Sequence, residues 1–275
     1  MIENSNKPEI NNGLILNYIA WAKSDNQIII TGLKDPVQPT DLVGEFEIPE
    51  FIDGCRVTSI EKEVFFNCTE MTGIIIPDSV TSIGASAFLC CQKLENVKLP
   101  KNLTRIERYT FFRCVNLSEI DIPDSVTLID ESAFQECAGL KEIKLPNTLS
   151  SLGPYAFEEC TSLNNVTIPD NVTAISHNAF RDCENLESIS VGKGIDTIEE
   201  FAFSGCFNLK EVNITKNVKV IKDYAFSSCR HITDVYYDGT RTDWEDIKIG
   251  FGNFVLMGDI IHYNEPEEEA EPKIE

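Results

Sequence analysis

The strongest constraint on the fold of this chain is a unit of 23 residues that recurs eight times. Each copy has a phenylalanine three residues before a cysteine. The repeated cysteines are Cys68, Cys91, Cys114, Cys137, Cys160, Cys183, Cys206 and Cys229, and the phenylalanines are Phe65, Phe88, Phe111, Phe134, Phe157, Phe180, Phe203 and Phe226. A fixed period of this length indicates a solenoid, in which each coil packs only against its neighbours. The sequence therefore predicts one elongated domain.

Each unit contains a pattern that is typical of a short β-strand. Apolar and mostly β-branched residues recur six and eight positions after the cysteine, as Val97 and Leu99 do after Cys91. Residues two apart lie on the same side of a strand, so this pattern predicts a strand with one face inward. In five coils a proline such as Pro100 follows and ends the strand. Equivalent strands of successive coils are expected to stack in parallel.

A second pattern precedes the cysteine. Ile83, Ala87, Phe88 and Cys91 have the spacing of one buried helical face. We expect one or two turns of helix here, held by stacking between coils because so short a segment is unstable alone.

The fold class predicted is an α/β repeat: a right-handed solenoid with a parallel strand face, short helices or 3-10 turns opposite, and a cap at each end. The predicted divisions are a flexible N-terminus (1–12), a cap hairpin with a first atypical coil (13–50), the solenoid (51–244), a C-terminal cap (245–264) and a disordered acidic tail (265–275).

Charge and composition exclude several function classes. A net charge of −22 disfavours nucleic acid and anionic membranes as partners. No apolar run reaches the roughly 18 residues of a membrane span, so no membrane insertion is expected. The first residues lack the basic and apolar regions of a signal peptide, which indicates a cytoplasmic protein if Met1 is the native start.

The cysteines are predicted to be free thiols that form a buried row. One equivalent cysteine per coil gives parallel side chains, whereas a disulfide needs side chains that point at each other. Cys55 and Cys90 lie off this frame. Because zinc ligands come as near pairs such as Cys-x₂₋₄-Cys, the spacing predicts no metal site. No catalytic motif surrounds the three histidines, so we expect no cofactor, no enzymatic activity and a monomer.

Outward strand positions are the first candidate binding site, since packing asks little of their side chains. Charge is concentrated there in the middle coils. The candidates are Lys98, Glu119, Asp121, Glu142, Lys144 and the single aromatic Tyr236. The alternative site is a set of aromatic residues on the predicted helix flank, which would anchor an interface if exposed. These are Tyr109, Phe112, Tyr155, Phe201 and Tyr224.

The run from Leu94 to Asn102 has leucine-rich-repeat spacing, and the Phe-x-x-Cys step with its 23-residue period is a more specific feature. In these features the sequence resembles the BspA-like leucine-rich repeats of bacterial surface proteins. Tyr236-Tyr237-Asp238-Gly239-Thr240 is similar to the usual ending of that family. The resemblance covers roughly residues 42–264.

The resemblance implies a leucine-rich-repeat solenoid that acts as a non-catalytic protein-binding scaffold, in adhesion or in host or matrix binding at a bacterial cell surface. It supplies no catalytic residues. Two alternatives stay open: a cytoplasmic protein-interaction scaffold, and an enzyme with a shallow site on the strand face.

Overall fold

The structure is a computed structural model, and it describes residues 15–264. The predicted flexible N-terminus (1–12) and acidic tail (265–275) lie outside these residues. In chain order the strands are β1 (Ile19–Ser24), β2 (Gln27–Leu33), β3 (Gly44–Glu47), β4 (Phe51–Ile52), β5 (Cys55–Ile60), β6 (Met71–Ile75), β7 (Ser82–Ile83), β8 (Asn96–Lys98), β9 (Arg105–Ile106), β10 (Leu128–Ile129), β11 (Ser151–Leu152), β12 (Asn165–Thr167), β13 (Ala174–Ile175), β14 (Ser188–Ser190), β15 (Thr197–Ile198), β16 (Glu211–Ile214), β17 (Val220–Ile221), β18 (Asp234–Tyr237), β19 (Lys248–Ile249) and β20 (Ile261–Tyr263). The helices are α1 (Arg241–Glu245) and three 3-10 helices, Ile15–Asn17, Pro39–Asp41 and Phe254–Met257.

Parallel strands of successive coils stack on two sides of the molecule, which confirms the predicted solenoid. On the strand face, β3, β6 and β8 form one ladder, and β12, β14, β16, β18 and β20 form another. The second side contains three further ladders: β2, β5 and β7; then β9 to β11; then β13, β15, β17 and β19. Strand β1 pairs antiparallel with β2, so this N-terminal hairpin joins the first coil through β2.

The third side of each coil consists of turns, so of the two forms predicted, short helices or 3-10 turns, the structure has turns. In the coil that ends at Cys91, Ser86 and Cys90 have φ values of 59° and 62°. These values lie in the left-handed region, which interrupts a helix. The Phe88 N–H donates to Thr110 O of the next coil at 3.0 Å instead of to a carbonyl four residues back. Hydrogen bonds of this type link successive coils along the whole repeat region. We call this side the turn face.

The core is a column of phenylalanine rings beside a column of thiols. Phe134 is fully buried between Phe111 and Phe157, with ring centroids 5.3 and 5.2 Å away. The Cys137 thiol donates a hydrogen bond to Phe111 O of the preceding coil at 3.1 Å, and six other repeat cysteines make the equivalent bond. A cysteine side chain fits here because it is small, apolar and still a weak donor. All ten cysteines are free thiols; Cys55 is buried and Cys90 is half-buried.

At the C-terminal end, the fully buried Asn253 closes the turn face. Its Oδ1 accepts the Phe226 N–H at 2.9 Å, where other coils use a backbone carbonyl. Its Nδ2 donates to Lys222 O and Gly250 O at 2.8 and 2.9 Å. One amide therefore satisfies the buried Phe226 N–H and also binds two part-buried carbonyls, of which Lys222 O accepts a second bond from Ala225 N–H at 3.4 Å.

Candidate functional site

The strand face contains a cleft of about 590 Å³ that extends over the N-terminal and middle coils. Its polar lining residues are Glu45, Asn96, Lys98, Glu119, Asp121, Glu142, Lys144 and Asn165. We call this the strand-face cleft. It brings together the five charged residues predicted from the sequence, all of which are exposed.

The cleft forms where the strand-face ladder is open. Within residues 15–264, no backbone hydrogen bond joins residues 95–99 to 118–122. The next step, to residues 141–145, has a single bond, Lys141 N–H to Ser118 O at 3.3 Å. Residues 119–121 and 142–144 are consequently not regular strands, although the sequence pattern predicts a strand in every coil.

The open part of the ladder coincides with the charged part of the strand face. Glu119 and Glu142 occupy equivalent positions in adjacent coils. Like charges at neighbouring strand positions repel, yet on the strand face these two coils share one backbone bond whereas the coils of Asn96 and Glu119 share none, so this repulsion does not account for the opening. The inward residues beneath them are correspondingly less covered: Ile120 and Ile143 are 6% and 8% exposed, whereas the equivalent Ile189 is fully buried. The charges on the outer side and the open ladder therefore occur in the same coils.

The charged groups of the cleft do not neutralise one another. Pairs between coils are common elsewhere in this molecule, for example Lys93 with Glu70 at 2.6 Å and Lys222 with Glu199 at 2.7 Å. In the described part of the chain, Lys98 and Lys144 make no ion pair although Asp121 lies in the coil between them. The cleft thus presents four carboxylates and two ammonium groups that remain available to a partner.

Tyr236, the sixth predicted residue of the strand face, lies outside the cleft. It is 43% exposed and stacks on His262, with ring centroids 4.8 Å apart. His262 Nε2 lies 2.8 Å from Asp234 Oδ1. This hydrogen bond lowers the pKa of the Asp234 carboxyl because it favours the charged form. The structure therefore places Tyr236 in a separate polar cluster beside the C-terminal cap.

The aromatic candidates of the alternative site lie on the turn face and are half-buried. Tyr109 contacts Phe112, and its hydroxyl donates to Glu131 Oε1 at 3.2 Å. Phe201 stacks on Tyr224 with centroids 5.2 Å apart, and Tyr155 reaches Phe201 through His177. Their contacts with one another are those of rings that fill the space between coils.

Sequence reasoning missed several members of the cleft. Glu45 belongs to the atypical first coil, and although residues 45–49 match residues 96–100 in pattern, Glu45 was not among the predicted site residues. Gly73 is the only glycine in the row of outward residues that includes Glu45, and a Cβ there would lie 2.9 Å from Glu45 Cγ. The absence of a side chain at Gly73 lets the Glu45 side chain cross into the next coil, and this glycine was the signal that could have revealed it.

Residues 15–264 contain no group of three potential metal ligands. The longest helix in this range, Arg241–Glu245, is far too short to span a bilayer.

Comparisons with known proteins agree with this geometry. The profile of the BspA type leucine rich repeat region matches residues 58–153 and 127–246, with six copies. A leucine-rich repeat protein of T. pallidum has 28% identity and a TM-score of 0.63, over 70% of this chain and 88% of that one. A leucine-rich repeat protein of Bacteroides ovatus has 25% identity and a TM-score of 0.72, over 85% of this chain and 66% of that one. No curated protein matches the sequence.

Proposed function

Because the chain belongs to the BspA-type leucine-rich repeat family, we propose that it is a protein-binding scaffold whose partner binds in the strand-face cleft. Repeat scaffolds of this family are generally non-enzymatic, and the proposed role is likewise non-catalytic. The setting that the family suggests is adhesion, or binding of host or matrix proteins, at a bacterial cell surface.

The observation that carries the proposal is the set of unpaired charges in the cleft. Glu119, Asp121 and Glu142 are exposed on coils whose cores are packed, and they have no ion-pair partner within residues 15–264. A rigid surface loses little conformational entropy on binding, which favours recognition. Charged groups on such a surface steer encounter and set specificity.

The proposal is tested by capture of partners from cell extracts and from host matrix proteins, using the whole chain as bait. The variant Glu119→Lys with Glu142→Lys reverses the charge of the cleft without changing a buried position. We expect it to lose the partner that the wild-type chain retains, and to show a lower association rate in surface plasmon resonance.

Two controls separate the cleft from other causes. Glu184→Lys with Glu211→Lys makes the same change in net charge on exposed residues outside the cleft, and should keep the partner. Tyr109→Ala with Tyr155→Ala removes two rings from the turn face and should have the smaller effect on affinity. Loss of the partner in this last variant, with binding intact in the cleft variant, would place the site on the turn face and refute the proposal.

A further inference from the structure

The dimensions of the strand-face cleft restrict what can occupy it. Its lining runs across six coils, from Glu45 to Asn165. At about 4.8 Å per coil the cleft is about 24 Å long. An extended segment of about seven residues, at about 3.4 Å each, spans this length.

Charge is distributed differently along the two edges of the cleft. The first row consists of the lining residues that lie five positions after a repeat cysteine, together with Glu45, which holds the equivalent position in the first coil. Its members are Glu45, Gly73, Asn96, Glu119, Glu142 and Asn165. All of its charged members are carboxylates. The second row, two residues further along each coil, is Ile75, Lys98, Asp121 and Lys144. Its charge is predominantly positive.

The two rows lie on opposite sides of a peptide that runs along the cleft in extended form. Positions two apart on a strand are separated by about 6.7 Å, and an extended chain directs successive side chains to opposite sides. A chain lying along the cleft would therefore place alternate side chains over the first row and the others over the second row. A peptide with complementary charge would have basic side chains over the first row and acidic side chains over the second row.

We propose, on the basis of the proposed function, that the cleft binds an extended segment of a partner protein with alternating basic and acidic side chains. Basic groups lie over Glu119 and Glu142, and a further one lies near Glu45, whose side chain reaches over Gly73. Acidic groups lie over Lys98 and Lys144. A segment that is basic on both sides would place cations beside these two lysines, and like charges brought together in this way disfavour a wrong partner.

The test uses synthetic peptides with the full chain. A fluorescein-labelled octapeptide of strictly alternating lysine and glutamate has about the length of the cleft. A second octapeptide has the same composition but four lysines followed by four glutamates. We expect the alternating peptide to bind about tenfold more tightly in fluorescence polarisation, from a few complementary exposed pairs. Its binding should disappear at about 0.5 M salt, where surface charges are screened.

Cleft and control variants locate the binding. Glu119→Lys with Glu142→Lys should abolish binding of the alternating peptide, while Glu184→Lys with Glu211→Lys should change its affinity less than about twofold. Circular dichroism checks that each variant is folded.

The result that would overturn the inference is equal affinity for the alternating and blocked peptides, or no binding of either by the wild-type chain. If neither binds but a captured partner still depends on Glu119 and Glu142, the proposed function stands and this account of its ligand is wrong. If the alternating peptide binds in the cleft but captured partners are indifferent to the cleft variant, the proposed function is the part that fails.

Discussion

The column of thiols predicts that this protein loses stability steeply in mild alkali. Burial raises the pKa of six repeat thiols well above the usual range: Cys91, Cys114, Cys137, Cys160, Cys183 and Cys206. Each of these side chains is fully buried and donates its proton to a phenylalanine carbonyl of the preceding coil. The folded state therefore keeps them protonated at a pH at which the unfolded chain ionises.

The sign and size of the effect follow from proton linkage. An unfolded thiol has a pKa of about 8.5, so above that pH the unfolded state binds fewer protons than the folded state and becomes favoured. The stability that the thiols contribute is fully present below about pH 8.5 and is lost as the pH rises toward their folded pKa. Once the thiols of the unfolded chain are ionised, each one lowers the free energy of unfolding by about 1.4 kcal/mol per pH unit. The six together lower it by about 8 kcal/mol per pH unit. That loss is comparable to the whole free energy of unfolding of a typical domain, about 5–15 kcal/mol.

The measurement is urea unfolding between about pH 7.5 and 10.5, under reductant, over the range in which free thiols ionise. Tryptophan fluorescence is a suitable signal because Trp21 is in the N-terminal hairpin and Trp244 is in the C-terminal helix α1. Lysines, tyrosines and overall charge also respond to alkali, so the control is Cys137→Ala with Cys160→Ala. This variant should reduce the alkaline slope of the unfolding free energy by about a third. Equal slopes for the variant and the wild type would refute the reasoning.

Three further sets of substitutions test the packing. Phe134→Ala should cost about 3–5 kcal/mol in urea unfolding, because the ring is fully buried between two others. Glu142→Ala on the outer face should cost less than about 0.5 kcal/mol, and similar losses for these two variants would mean that the inner and outer faces are reversed. Ser228 has a φ of 64°. Ser228→Gly should therefore stabilise by about 0.5–1 kcal/mol while Ser227→Gly should destabilise by a similar amount, and changes of the same sign in thermal melting would contradict the turn geometry. Asn253→Ala leaves the buried Phe226 N–H without its partner and removes two bonds to part-buried carbonyls. It should cost about 1–3 kcal/mol in urea unfolding, and a neutral outcome would exclude its role in closing the turn face.

The inward positions of this solenoid could be predicted from the sequence because each coil repeats the same local environment. A residue at the Phe134 or Cys137 position meets the same kinds of neighbours in its own coil and in the two adjacent coils. The repeat period is therefore enough to define the buried rows. The same alternation identified Glu119 and Glu142 as outward residues, since adjacent strand positions point to opposite sides. The assignment of these two carboxylates to the candidate site needed no tertiary information.

The tertiary structure decided whatever depends on the distance and hydrogen bonding between coils. Helical spacing before Cys91 is compatible with a helix or with successive turns, and the Phe88 N–H selects turns by bonding to the next coil. Lys93 and Lys98 look alike in the sequence, yet Lys93 pairs with Glu70 while Lys98 remains unpaired in the open part of the strand face. Hydrogen bonds and ion pairs between coils are properties of the stack, so a repeat pattern read one coil at a time does not contain them.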